Sequence, residues 1–152
     1  MLRLLLAWLH LLALGFGLAA VWARGAALWS LTDERAVPRA FAADAAWGFA
    51  AVLWIVTGLW RLVAGTEKAT SYYMHNAVFF LKMGLLVVIL ALEVWPMLTL
   101  IKWRVARAKG TLDLAAHVST ARRIAVISWI EAALVAAMVL AAVAMARGYG
   151  AP

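Results

Sequence analysis

The chain has no cysteine, so disulfides, thiolate metal sites and cysteine nucleophiles are all ruled out. It has little charge, and least of the acidic kind: 7 Asp and Glu stand against 14 Lys and Arg in 152 residues. With 68% of positions hydrophobic, too few polar residues remain to cover a soluble domain of this length. No HExxH, no phosphate-cradling glycine loop and no Ser/His/Asp set at a consistent depth is present. Internal repeats and low-complexity linkers are missing as well. A net charge of +7 would suit nucleic acid, but the basic residues flank apolar runs, so the partner they fit is the anionic face of a lipid bilayer, with no nucleic acid.

What the chain does have is long hydrophobic stretches. About twenty apolar residues are needed to cross a bilayer, and four segments qualify, at about 3–23, 44–63, 75–100 and 124–146. The expectation is a single domain, residues 1–152, all-α, an antiparallel four-helix transmembrane bundle. The first run follows Arg3 as a signal peptide would, but its length and its His10 favour a retained span. Arg24 to Ala43 reads as a polar connection with a helix start at Thr32-Asp33-Glu34 and punctuation at Pro38. Thr57-Gly58 is a candidate kink, and Gly65 to Lys68 a turn. The third span either ends at Trp95-Pro96 or continues kinked to Leu100. Thr111 and Asp113 are candidate caps for the last helix, in which Ala133, Ala137 and Ala141 form a small-residue ridge. The last few residues read as a frayed tail.

Polar groups inside the spans are the functional candidates, because an ionised side chain at mid-bilayer costs about 2.5–3.5 kcal/mol and so should face protein, cofactor or water. At 100° per residue, His75, Lys82 and Glu93 fall on one stripe of the third span. His10 sits about as deep in the first span as Lys82 does in the third, roughly 10 Å by helical rise. One layer therefore gathers His10 and Lys82, with Arg61, His75 and Asn76 nearer the surface. A second layer holds Glu93 and Glu131, with Asp44, Arg104, Arg122 and Arg123 at the rim beyond it. His117 reads as a solvated residue.

Three functions stay open. An imidazole beside two cations suits a propionate-bearing ring such as haem b, with His10 as the iron ligand, Lys82 and Arg61 as counter-charges and His75 as a second polar contact. That points to an oxidoreductase or carrier. Alternatively, Glu93 and Glu131 serve a small transport or proton-relay component whose path is built in a homo-oligomer. The third reading is a purely structural membrane subunit, its polar groups joining the helices.

The segments WLHLLAL, TGLWR, KATSYYMHNAVFFLKMG, EVWPM and MARG, taken together over the whole chain, resemble a bacterial family of uncharacterised four-span inner-membrane proteins known only as predicted membrane proteins. More distantly, the chain resembles the HemJ-type protoporphyrinogen oxidases and copper-resistance membrane domains. The oxidase resemblance implies haem binding at His10 and a role for Lys82. Where that family has a Pro-Arg pair closing its first span, this chain has Trp22-Ala23-Arg24, and Glu93 occupies the region of a later family histidine.

Nine Lys and Arg lie in the first and third connections, which places those connections in the cytoplasm and both termini outside it. A topology reporter fused after Lys109 is expected to read cytoplasmic and one after Gly150 external. A cytoplasmic signal at Gly150 reverses the orientation.

Overall fold

The computed structural model describes residues 1–31, 35–65 and 70–150. These fold into five helices: α1 (Leu2–Trp29), α2 (Ala36–Val63), the short α3 (Thr70–Met74), α4 (Ala77–Ala108) and α5 (Leu114–Ala146). Apart from α3, each is long and apolar enough to cross a membrane, and no strand occurs among the described residues. The protein is an all-α four-span bundle.

Every span is longer than its hydrophobic run. The four helices have 28 to 33 residues, about 42–50 Å at the helical rise, against roughly 30 Å of hydrocarbon. Hydropathy marks where lipid begins, whereas caps mark where helices do. Asn76 starts α4 by accepting from the Val78 and Phe79 amides, and Asp113 starts α5 by accepting from Ala115 and Ala116. His75 therefore precedes α4 and does not share its stripe. The connection expected from Arg24 to Ala43 contracts to the few residues between α1 and α2. The helix start at 32–34 and most of the turn at 65–68 lie outside the described residues.

Pro96 does not end α4, which continues to Ala108. The proline removes a donor to the Leu92 carbonyl, but the turns beyond it are held by packing. Leu100 and Trp103 are buried, and Arg104 donates across to Asp44 and to the Phe41 carbonyl, each at 2.8 Å.

Small residues set the helix spacing. Ala13, Gly17 and Ala20 turn one face of α1 toward α2, and a Cβ on Gly17 would stand 3.2 Å from both Ala50 and the Trp47 ring. At Gly25 a Cβ would meet the Trp129 indole of α5 at 2.5 Å. Of the expected ridge in α5, Ala141 is buried but Ala133 and Ala137 face outward, and the buried line runs through Ala121, Ala125, Ser128, Ala132, Val135, Met138 and Ala141. α1 packs along α2 and α5, and α5 along α4, while α2 and α4 approach each other at only a few residues.

One side chain joins all four spans. Arg24, read from the sequence as a connection residue, lies inside α1 with no exposed surface. Its Nη1 donates to Asp44 of α2 at 3.0 Å and to Glu93 of α4 at 2.7 Å. Its Nη2 donates to Glu93 at 2.8 Å and to Glu131 of α5 at 2.7 Å, and its Nε to Ser128 at 2.9 Å. All five guanidinium N–H groups are thereby used. Trp47 adds an indole donor to Glu93 at 3.1 Å.

Removing one partner from a buried ionic network costs about 3–5 kcal/mol, because the groups left behind stay buried. Arg24→Met is therefore expected to abolish recovery of monodisperse protein from detergent, and Arg24→Lys, which has no planar fork, is expected to fail as well. Glu131→Gln should be tolerated, since three carboxyl groups face the two guanidinium groups of Arg24 and Arg104. The yield of monodisperse protein for the three variants, with the melting temperature of Glu131→Gln, tests this ordering.

Candidate functional site: a cationic cavity near the chain termini

At the end of the bundle that carries the N-terminus and the end of α5, the helices part around a cavity of about 510 Å³, within the usual range for small-molecule sites. His10 from α1, Arg61 from α2 and Lys82 from α4 line one wall system with Trp54, Tyr72 and Tyr73, and the remaining surface is largely aliphatic.

His10 is held on both nitrogens. The Trp54 indole, which can only donate, stands 3.0 Å from Nε2, so Nε2 carries the lone pair. The ring proton therefore sits on Nδ1 and is donated to Thr57 Oγ1 at 2.9 Å. Thr57 passes its own hydroxyl proton to the Leu53 carbonyl at 2.7 Å. Gly58 lets the ring approach, since a Cβ there would lie 3.1 Å from His10 Cε1. Thr57-Gly58 does not kink α2, which runs unbroken through both residues. The pair instead forms a seat for the imidazole.

Lys82 is half-buried and makes no hydrogen bond or ion pair among the described residues. Arg61 lies near enough for its charge to act on both Lys82 and His10. Lys82 is thus an ammonium one or two turns into a span with no carboxylate partner among the described residues.

The other candidates lie elsewhere. His75 is exposed and bonds to the Ser71 carbonyl at 2.8 Å, away from the cavity wall. Glu93 and Glu131 close on Arg24 beyond the cavity. His117 is partly covered, its ring 5.1 Å from that of Trp103. Asn76 is fully buried and helps build a roof: its amide donates to Tyr72 and to the Tyr149 carbonyl, and Tyr72 donates to the Met145 carbonyl. The Gly150 carbonyl accepts from the Ala77 amide, so the tail up to Gly150 is docked, not frayed.

These residues do not offer haem iron a ligand as they stand. Bonding iron through His10 Nε2 would require the Trp54 indole to leave, and Nδ1 is spent on Thr57. Among the described residues no cluster of three metal-ligating side chains occurs.

Sequence reasoning missed Trp54 and Thr57 as the partners of His10, although their i, i+3 spacing put both on one face of the neighbouring span. Thr57→Val keeps the shape of the side chain and removes the acceptor of the His10 Nδ1 proton. It is expected to lower stability by about 1–3 kcal/mol, read as a drop in melting temperature without loss of helical circular dichroism.

No curated protein and no solved structure matches the chain. Residues 2–150 match a family described as "Predicted membrane protein (DUF2214)". With nearly the whole chain matched and four apolar spans in the fold, this protein belongs to that membrane-protein family.

Proposed function

We propose that the protein binds an amphipathic acid, a molecule with a carboxylate or phosphate group on an apolar body, in the cavity near its termini. The observation that carries this reading is Lys82: an ammonium within a span, without an acceptor among the described residues, on the wall of a largely apolar cavity and beside Arg61. A charge so placed is costly unless something neutralises it, and a bound acid does so. The apolar wall takes the body of the ligand, and the neutral His10 stiffens the floor through Trp54 and Thr57. With the loops carrying most of the basic residues in the cytoplasm, the cavity opens in the opposite leaflet of the bacterial inner membrane. The role is that of a carrier or binding subunit. A porphyrin enters this reading through its propionates, as an acid of the same chemistry.

The test compares a long-chain fatty acid with the alcohol of equal length, both titrated against purified protein in nanodiscs. The acid is expected to bind at least tenfold more tightly, and Lys82→Met to erase the difference while leaving the melting temperature of the empty protein unchanged or higher. Equal binding of acid and alcohol to the unmodified protein rejects the reading. A Soret band in protein from haem-replete cells, lost in His10→Ala, would establish iron ligation and require the Trp54 contact to rearrange.

A further inference from the structure

We infer that the ligand reaches this cavity sideways, from the lipid, through the seam between α2 and α4. This rests on the cavity being a binding site for an amphipathic acid, and it narrows the ligand to acids dissolved in the membrane: lipids with one carboxylate or phosphate head and a tail that stays in the bilayer.

Among the described residues, the seam between α2 and α4 is the least joined of the four in the bundle. α1 lies against both α2 and α5, and α5 against α4, whereas α2 and α4 meet at few residues. The α2–α4 side-chain bonds gather toward the loop end: Arg104 to Asp44 and to the Phe41 carbonyl, and Trp47 to Glu93. Toward the termini the same two helices both line the cavity, with Ile55 and Leu59 from α2 and Met83 and Leu86 from α4. Leu59 is 56% exposed and so lies at the rim.

At the aqueous end the cover includes α3, which contributes Tyr72 and Tyr73 to the cavity lining. It is tied to α2 by Thr70, which donates to the Leu62 carbonyl at 3.1 Å, and to the end of α5 by Tyr72, which donates to the Met145 carbonyl at 3.2 Å. The tail reinforces this cover, since Asn76 and Ala77 bond to Tyr149 and Gly150. Opening a path from water would break several of these bonds together. Opening one from lipid needs only aliphatic side chains to change rotamer. Lys82 lies about 8 Å along α4 from its start, a depth that the head of a lipid lying in the membrane surface reaches by a short inward tilt.

Because the chain has no cysteine, cysteine pairs can be introduced without background. One carries Leu59→Cys with Met83→Cys across the α2–α4 seam. A second carries Trp29→Cys with Arg122→Cys, whose parent side chains meet at 5.8 Å between α1 and α5 at the loop end and do not line the cavity. Each is linked with a reducible bis-thiosulfonate reagent, and capture of a pyrene-labelled long-chain fatty acid from phosphatidylcholine vesicles is followed by fluorescence. Linking across α2 and α4 is expected to slow capture at least tenfold, with recovery on reduction, while linking α1 to α5 leaves the rate within twofold. Unchanged capture across a linked α2–α4 seam, or a block seen only with α1 and α5 linked, overturns the lateral route. If the unlinked and reduced proteins capture no fatty acid, the binding site itself is refuted and the route with it.

Discussion

The fold depends on one guanidinium group. Most membrane bundles gain little from burying apolar surface against apolar surface, since lipid tails are as apolar as leucine, and must find their specificity in packing and polar contacts. Here the polar part is concentrated at Arg24, whose planar fork reaches a carboxylate on each of the other three spans and a serine on one of them. The arrangement fixes rotation as well as proximity. Turning any helix by one residue, about 100°, would carry its carboxylate off the fork. Gly17 and Gly25 belong to the same device, because they let Trp47 and Trp129 pass close to α1 on either side of the arginine.

The two ends of the bundle follow opposite rules. Toward the loops, opposite charges meet: Arg24 and Arg104 share Asp44, and Glu93 accepts from Arg24 and Trp47. Toward the termini, like charges gather. Lys82, Arg61 and a histidine lie together, with no carboxylate among the described residues of the cavity wall. A bundle already secured at one end tolerates unfavourable electrostatics at the other, and natural proteins accept such local conflict chiefly at functional sites. The stability of the Arg24 network is thus what permits the cationic cavity to exist.

Much of this was legible from the residues. Four spans follow from hydropathy, and the depth argument that put His10 level with Lys82 needs only the helical rise and the alternation of spans. What could not be read is where helices stop and which way a charged residue near a boundary points. Arg24 follows a run of apolar residues and looks like a flanking charge. Only the knowledge that α1 continues to Trp29 puts it level with Glu93 and Glu131. Pro96 misled in the same way, since the packing of Leu100 and Trp103 keeps α4 helical past a residue that disfavours it. His75 sits one residue before the cap Asn76, and that single step removes it from the stripe it would share with Lys82.

The hydrogen bonds of His10 carry the remaining argument about chemistry. An imidazole meant to bind iron, or to pass protons, needs a nitrogen that is free or exchangeable. Here one accepts from an indole that has no other role to offer, and the other donates to a hydroxyl already committed to a backbone carbonyl. Each step of that chain runs in one direction, from Trp54 through His10 and Thr57 to Leu53, and it ends on the backbone of α2 rather than at water or at a carboxylate. Such a chain orients a ring and stiffens the α1–α2 contact at the point where Gly58 allows the two helices to touch. In the proposed reading the charge that meets the ligand is that of Lys82 on α4, across the seam from α2, which α4 meets at only a few residues.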